Sequence, residues 1–464
     1  MKRTFFAKSS RAMIPTIFAL AWPTMLEQLM QTAVQYIDTA MVGALGTDAT
    51  AAVGATTTVN WLIGSTVSAV GIGFLAYIAQ ALGAGREKDV RNASAQACLA
   101  VLAVGLLFTA LPLSISKYVP VWMQVDPAIQ SDASAYFFIL YTPMLARSAI
   151  IIFGTILRAA GDSRTPMWVG IGVNAINVVL NLLLIYPTQT VHFCSRDWVF
   201  YGAGLGVIGA AIASSIAFTV GGVLITVALW RHPKVSPKGQ SFRPNPAVLK
   251  PCLRIAYPNA LQRFGTSLGY VAFAAMVNSL GGVATAAHTI ANTVESAFYI
   301  PGYGMQTAAA TLAGTALGAG DRNRIRALSR TILLIEVVLM ILSGGLLFAF
   351  APSMMRLFSA DAAVILLGTT VLRMVALSEP FYGVSIIVEG MMQGMGKTVM
   401  PFICNLLGMW GIRIVGTFIC TQLWGMGLVS AWACMILHNL TLFGMFGIYY
   451  LTGRWNPLHS SPSS

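Results

Sequence analysis

Long apolar runs separated by short polar segments fill almost the whole chain. About 20 apolar residues are enough for a helix to cross the hydrocarbon core of a bilayer. Twelve such runs are present, so the pattern predicts an all-α polytopic membrane protein with twelve transmembrane helices. Their centres lie near residues 28, 65, 105, 146, 177, 216, 266, 300, 340, 377, 412 and 438.

The first apolar run has a single polar face. Gln28, Gln31, Gln35 and Asp38 recur at steps of three, four and three, which places them on one side of a helix, and Glu27 lies beside them. A carboxylate at this depth costs roughly 2.5 to 3.5 kcal/mol and usually faces a cavity, an ion or a partner. We therefore interpret Asp38 as a functional acid rather than a structural one, and the three glutamines as lining a substrate path.

A second polar stripe lies on the eighth run, where His288, Asn292 and Glu295 follow at steps of four and three. Glu295 is a second site candidate, with a purely structural hydrogen bond as an equal alternative. His288 is interpreted as a histidine with its hydrogen bonds satisfied at a helix interface. Glu379 and Glu389, on the tenth run, are further candidates for the substrate path.

Three other charged residues in the second half receive structural interpretations. Glu336 stands among Leu, Ile and Val, and no polar stripe supports a role for it. Arg263 and Arg413 are expected to pair with the buried acids as structural ions. A helix kink is expected before Pro380.

The basic residues alternate between connections along the chain. The two termini and the connections at 83–93, 158–166, 231–254, 318–330 and 394–400 carry 21 of the 28 Lys and Arg residues, whereas the connections between them carry three. The positive-inside rule places both termini in the cytoplasm. This orientation signal accounts for most of the net charge of +13, so no nucleic-acid partner is expected.

Composition excludes a soluble enzyme. The chain is 56% hydrophobic and only 9% charged, and it contains no phosphate-binding loop, metal-ligand cluster or nucleophile–base arrangement. Its six cysteines have no paired spacing, and only Cys194 is expected in an outside loop, so neither a disulfide framework nor a metal is predicted. No cofactor is expected, and the energy for any transport must come from an ion gradient.

The chain contains an internal repeat with an offset of 235 residues. This shift aligns AWP at 21–23 with AYP at 256–258, and ALGAG at 81–85 with ALGAG at 316–320. Six spans in each half make the repeats parallel, with a pseudo-two-fold axis along the membrane normal. We predict an N-terminal lobe over 1–230, a cytoplasmic basic linker over 231–250 and a C-terminal lobe over 251–464. An insertion in the first half, PTQTVHFCSRDWVFYG, is expected to be an outside loop.

These motifs resemble the multidrug and toxic compound extrusion (MATE) family. The resemblance extends over nearly the whole chain and rests on VGALG, ALGAG, LRAAGDSRTP and GVIGAAIAS in the first half, and on LGAG and MQGMGKT in the second. It implies twelve helices in two lobes, alternating access, and export of organic, mostly cationic amphipathic compounds in exchange for H⁺ or Na⁺. We expect a monomer that contacts membrane lipids in the inner (plasma) membrane.

The resemblance also implies a cation or proton site in the N-terminal lobe. Asp38 matches the acid of the first helix, Asn177 and Asn181 match an Asn and an acid four residues later, and Ser214 matches a Thr on the sixth helix. Pro23 matches a proline at which the first helix bends, and a break in the helix is expected there. Asn181 is a departure, because many relatives have Asp at this position, and the missing charge favours a proton over sodium.

The same resemblance speaks against a second ion site of the kind found in another branch of the family. That branch places acids where this chain has Thr266 and Tyr382. The repeat mate of Asp38 is Phe273, so the acid belongs to the first half only. Burial disfavours the charged form of a carboxyl group, so an incoming proton and a cationic compound would compete for Asp38.

Two other interpretations remain open from the sequence. A lipid-linked oligosaccharide flippase of the same superfamily is the alternative, although twelve spans and an acidic first helix argue against it. A receptor or scaffold without transport activity would leave the acids inside the membrane unexplained.

Overall fold

The structure, a computed structural model, describes residues 2–122, 127, 129–193 and 196–458. Helices dominate the first half: α1 (Lys2–Gly43), α2 (Thr47–Gly83), α3 (Glu87–Ile115), α4 (Val119–Trp122), α5 (Gln130–Tyr141), α6 (Met144–Ala159), α7 (Arg164–Leu184) and α8 (Gly206–Arg231). Cys194, expected in an outside loop, lies outside the described residues.

The second half repeats this helical pattern. Its helices are α9 (Pro246–Asn278), α10 (Gly282–Phe298), α11 (Ile300–Gly318), α12 (Arg322–Phe358), α13 (Ala362–Ala376), α14 (Glu379–Gly394), α15 (Val399–Leu406), α16 (Val415–Phe418) and α17 (Leu428–Leu451), with π-helical turns at Leu407–Ile414 and Ile419–Leu423.

Nine of the predicted spans coincide with apolar helices of membrane-crossing length. In the described part of the chain, seven single helices are long and apolar enough to cross a membrane, and two bent helix pairs raise the number to nine. The remaining predicted spans, centred near 28, 266 and 300, fall on α1, α9 and the α10–α11 pair, which are not among the nine. The prediction of twelve spans in two lobes therefore stays a prediction.

Two spans are bent rather than straight. The helices α5 and α6 meet at 48°, and α13 and α14 meet at 54°. The second bend lies just before Pro380, where a kink was expected, whereas the bend before α6, which follows Pro143, was not foreseen. The helix α1 is not interrupted at Pro23. The expectation of a broken helix there is wrong, because α1 continues through Pro23 and ends at Gly43.

The insertion in the first half is a β-hairpin rather than a loop. Strands β1 (Pro187–Phe193) and β2 (Arg196–Ala203) pair antiparallel, with Phe193 opposite Arg196 and Pro187 opposite Ala203. Valine and aromatic residues are frequent in both segments, and such residues favour extended backbone. The all-α prediction therefore needs this one correction.

The chain forms two compact units. The C unit comprises Met1–Met25, Leu75–Arg86 and Pro251–Ser464, and the N unit comprises Leu26–Phe74 and Glu87–Lys250. The helix α1 contributes to both units, and the change falls two residues after Pro23. The predicted lobe boundaries, which follow chain position alone, stay a prediction.

The core of the C unit includes the beginning of α1. Ile17 and Leu20 are buried in one apolar cluster with Met305 of α11, Ile332 of α12 and Phe446 of α17. Burying an aliphatic side chain of this size contributes roughly 1.5 to 3 kcal/mol in water, while close packing supplies the contacts inside a membrane. The part of α1 around Ile17 and Leu20 is therefore packed against helices from the second half of the sequence.

The duplicated ALGAG motifs allow the end of α2 and the helix α11 to approach closely within the C unit. A Cβ placed on Gly83 of α2 would lie 1.9 Å from the Thr315 carbonyl oxygen, and one on Gly318 of α11 would lie 1.9 Å from the Gln80 carbonyl oxygen. The two contacts are repeat mates of each other at the 235-residue offset. Only glycine fits at either position, because any side chain would overlap the facing backbone.

The connection between α8 and α9 is fastened to the N unit. Gln96 of α3 is fully buried, and its side-chain amide donates to the Arg243 carbonyl oxygen at 2.9 Å and accepts from the Asn245 backbone N–H at 2.9 Å. This segment carries much of the basic charge of the predicted linker, and its backbone is held in place by a side chain.

Candidate functional site

Asp38 and Asn181 are in direct contact inside the N unit. Asp38 lies on the last third of α1 and is half-buried, and Asn181 lies on α7 with 1% of its surface exposed. The Asn181 Nδ2 donates to Asp38 Oδ1 at 2.6 Å. Hydrogen bonds to an ionised acceptor are short and strong, so this contact stabilises the charged carboxylate.

Asn177 and Ser214 complete the cluster. Asn177 is one helical turn before Asn181, and its amide satisfies its neighbours when Nδ2 points to Asp38, 2.9 Å from Oδ1 and 3.1 Å from Oδ2. In that orientation the Asn177 Oδ1 accepts from Ser214 Oγ of α8 at 3.0 Å. The four residues singled out by the sequence thus form one connected group that joins α1, α7 and α8.

The chemistry of this group suits a proton or a small hard cation. In the described part of the chain, the hydrogen-bond partner of the Asp38 carboxylate is an amide and not a cationic side chain. The Asn181 Oδ1 is buried and has no hydrogen-bond partner, so an amide oxygen is available beside the carboxylate. Carboxylate and amide oxygens are preferred ligands of hard cations, and a carboxylate also accepts a proton.

Pro23 lies in the same helix as Asp38, 15 residues earlier. It is buried, and its ring removes the backbone N–H that would bond one turn back. At 1.5 Å per residue, Asp38 is about 22 Å along the helix from Pro23. The role of Pro23 as a hinge stays a prediction.

The end of α1 has a second fastening to the region after α7. The Tyr186 hydroxyl donates to the Met41 carbonyl oxygen at 2.8 Å. Gln28, Gln31 and Gln35 are exposed on α1. The predicted glutamine stripe therefore lies on an accessible face, separate from the hydrogen bonds of Asp38.

Glu27 forms an ion pair with Arg158 that was not predicted from the sequence. Both of its carboxylate oxygens accept from Arg158 Nη2 of α6, at 2.7 and 2.6 Å, and both side chains are less than one-fifth exposed. Arg158 was counted as an orientation signal of a cytoplasmic connection. The spacing within one helix could not reveal its partner, because the two residues are 131 positions apart.

The predicted stripe of α10 is divided between two environments. Glu295 is 3% exposed and accepts a hydrogen bond from the Tyr299 hydroxyl, whereas Asn292 is exposed. His288 is buried and packs edge-on against Phe273, but its Nδ1 has no hydrogen-bond partner, so it is not the satisfied histidine that we expected.

Glu379 and Glu336 are also fully buried in the C unit. The Glu336 carboxyl fits between Gly302 of α11 and Gly383 of α14, since a Cβ on either glycine would lie 3.0 Å from Oε1. The sequence analysis could not predict this environment of Glu336, because the space for its carboxyl group is provided by glycines on other helices.

Glu389 is held by three amides. Gln262 and Gln393 donate to Oε1 at 2.8 and 2.9 Å, and Asn405 donates to Oε2 at 3.2 Å. This carboxylate therefore accepts from donors on α9, α14 and α15. Glu389 is only partly buried, and its contacts support a structural role rather than a role in the substrate path.

The two arginines expected to pair with these acids do not do so. The Arg413 guanidinium lies over the Phe273 and Tyr270 rings, 4.1 and 4.9 Å from their centroids. Arg263 donates to Asn259 Oδ1 at 3.0 Å. Aromatic faces attract a cation through their quadrupole, which provides Arg413 with a partner other than a carboxylate.

Comparison with known proteins places the chain in a family. The family model described as MatE matches residues 23–183 and 258–419, two stretches that begin at the repeat mates Pro23 and Pro258. Over 439 residues, the chain is 26% identical to the probable multidrug resistance protein NorM of Thermotoga maritima, covering 95% of this chain and 92% of that relative.

Solved structures share the fold over almost the whole chain. A MATE structure in the bent conformation has a TM-score of 0.86 at 22% identity, covering 96% of this chain and 95% of that one. A MATE structure in the straight conformation has a TM-score of 0.85 at 21% identity, covering 96% and 97%. Together with the apolar helices, these findings define a membrane transporter rather than an enzyme. The chain belongs to the MatE family.

Proposed function

We propose that the protein is a secondary multidrug efflux antiporter. It exports organic, mostly cationic amphipathic compounds in exchange for protons by alternating access. The observation that supports this most directly is the contact of Asp38 with Asn181, in a helix that also contains Pro23. Relatives named as multidrug resistance proteins support the substrate class.

The coupling follows from what protonation does to the cluster. An ionised Asp38 accepts from Asn181 and Asn177 and is fastened to α7. A proton removes the charge that strengthens these bonds and releases the outer part of α1, which then bends at Pro23. Solved MATE structures described as being in a bent and in a straight conformation share this fold, and they are consistent with a transporter that adopts two conformations.

A proton is favoured over sodium as the coupling ion. Sodium needs several oxygen ligands and enough negative charge to replace its water, and here a single carboxylate faces two neutral amides. Asn181 removes the second acid that would raise the site's charge. A proton needs only the carboxylate, and it competes there with a cationic substrate.

The remaining parts of the proposal concern path and placement. Gln28, Gln31 and Gln35 are accessible and line the path beside α1, whereas Asn292 is the exposed candidate on α10. Of the candidate acids in the C unit, Glu295 and Glu379 are buried and remain candidates for the path, whereas the partly buried Glu389 is assigned to structure. The protein is a monomer in the inner membrane, with both termini in the cytoplasm and two six-helix lobes in contact with lipid.

Accumulation of a fluorescent organic cation in cells without their own efflux pumps tests the proposal. Cells making the wild type should hold less dye than cells with the empty vector, and a protonophore should abolish the difference. Asp38→Asn should accumulate dye like the vector. Asp132→Asn is the matched control, since it makes the same change on an exposed turn of α5. Equal export by Asp38→Asn and the wild type would contradict the proposal.

A further inference from the structure

The two repeats place a polar junction at the same four positions. The four positions are related by the 235-residue offset. In each repeat, one of them lies on the first span, two lie on the fourth span and one lies on the fifth span. These positions are Glu27, Gly154, Arg158 and Gly170 in the first repeat, and Gln262, Glu389, Gln393 and Asn405 in the second.

In the first repeat the junction is a charged pair. Arg158 Nη2 contacts both Glu27 oxygens, at 2.7 and 2.6 Å, and thereby joins α6 to α1. Glycines stand at the other two positions. A Cβ on Gly170 of α7 would lie 3.3 Å from Glu27 Cγ, so this glycine provides the space that the acid occupies.

In the second repeat a single carboxylate and three amides fill the same positions. Glu389 stands where the first repeat has Gly154, and it accepts from Gln262, Gln393 and Asn405 at 2.8, 2.9 and 3.2 Å. Four residues from three helices therefore form one network. No bond in it depends on an opposite charge.

Each junction follows a proline by one helical turn. Pro23 precedes Glu27 in α1, and Pro258 precedes Gln262 in α9, by four residues in both cases, and both prolines are buried. The junction therefore fastens the helix directly after its weakest point. Only the first repeat also carries an acid, Asp38, farther along the same helix.

The geometry makes the charged pair sensitive to a bend at Pro23. Glu27 is about 6 Å from the proline along the axis and Asp38 about 22 Å. If the segment moves as a rigid rod, a bend of about 25° displaces Glu27 by roughly 3 Å and Asp38 by roughly 9 Å. A displacement of roughly 3 Å would take contacts of 2.6 and 2.7 Å beyond hydrogen-bond range.

We propose that Glu27 and Arg158 are positioning residues that form an ionic latch, which holds α1 straight and limits how easily Asp38 leaves its amides. The inference rests on the proposed function, since it assumes a bend at Pro23. The second repeat uses a four-residue network at the same place, so α9 stays fastened and bending is confined to the repeat that carries Asp38.

Distance measurements between two spin labels test the latch in the full-length protein. Labels are placed at Ala40→Cys on α1 and Leu106→Cys on α3, both exposed positions, after the native cysteines have been replaced. In alkaline buffer Glu27→Gln, which copies Gln262, should raise the ratio of bent to straight helix by about fivefold. Arg158→Gln, which copies Gln393, should do the same.

The exchanged pair Glu27→Arg with Arg158→Glu should return the ratio to within about twofold of the wild type. Glu389→Gln, in the other repeat, should leave it unchanged. Equal ratios in Glu27→Gln and the wild type would overturn the latch, as would a failure of the exchanged pair to restore the ratio in a folded protein.

Asp38→Asn, measured in the same way, separates this inference from the proposed coupling. If that variant leaves the ratio unchanged, the coupling through Asp38 is wrong. The latch is then still judged by Glu27 and Arg158 alone.

Discussion

Replacing Asn181 with Asp would put a second carboxyl group against Asp38. The Asn181 Nδ2 now donates to Asp38 Oδ1 at 2.6 Å. The variant exchanges this donor for an acceptor and leaves the shape of the side chain almost unchanged. It therefore isolates the effect of charge on the site.

The size of that effect follows from Coulomb's law. Two carboxylates about 4 Å apart repel by about 4 kcal/mol at an effective dielectric constant of about 20. The variant must therefore keep one proton or bind a cation between the two groups. A cation present at about 100 times its dissociation constant would stabilise the folded variant by about 2.7 kcal/mol. The wild-type site has one carboxylate and two neutral amides, so it does not need a cation to offset repulsion.

Thermal unfolding in sodium chloride and in choline chloride at equal ionic strength measures this difference. Asn181→Asp should melt several degrees higher in sodium than in choline, and the wild type should melt at the same temperature in both. The double variant Asn181→Asp with Asp38→Asn should lose the sodium effect. A sodium-specific rise in the wild type as large as in Asn181→Asp would refute the preference for a proton.

Three smaller perturbations are expected to separate structural from functional residues. Gly83→Ala should destabilise the protein by roughly 1 to 3 kcal/mol in thermal unfolding, because its Cβ would lie 1.9 Å from a carbonyl oxygen, whereas Gly172→Ala, with open space, should not. Glu389→Gln should lower the melting temperature through roughly 2 kcal/mol of weakened hydrogen bonds, and an unchanged melting temperature would show that the network is unimportant. Ser214→Ala should reduce dye efflux less than Asp38→Asn does, because the Ser214 hydroxyl contacts Asn177 and not Asp38. Equal losses of efflux would show that the hydroxyl is as important for coupling as the carboxylate.

Asp38 could be anticipated from the polar stripe of the first span, whereas Asn177, Asn181 and Ser214 were predicted only through the resemblance to the family. Steps of three and four put Asp38 in line with the glutamines, and Asn177 and Asn181 are one turn apart. The resemblance to the family then predicted that Asp38 and the two asparagines belong to one site. The contact at 2.6 Å is what the structure adds.

Other features depend on residues far apart in the chain, which periodicity does not detect. Glu336 has no stripe of its own, and its space comes from Gly302 and Gly383. Arg158 is distant in sequence from Glu27, and its charge was attributed to membrane orientation. The hairpin was missed because the insertion was assigned by its position between spans, although Val191 and Val199 are strand-forming residues.

The most direct test of the account uses the purified protein in liposomes preloaded with a fluorescent organic cation. Efflux is compared under an imposed proton gradient and an imposed sodium gradient, for the wild type and for Asp38→Asn. The account predicts efflux driven by the proton gradient, lost in Asp38→Asn, and no efflux driven by sodium alone. Wild-type efflux under neither gradient, or unchanged proton-driven efflux in Asp38→Asn, would contradict it.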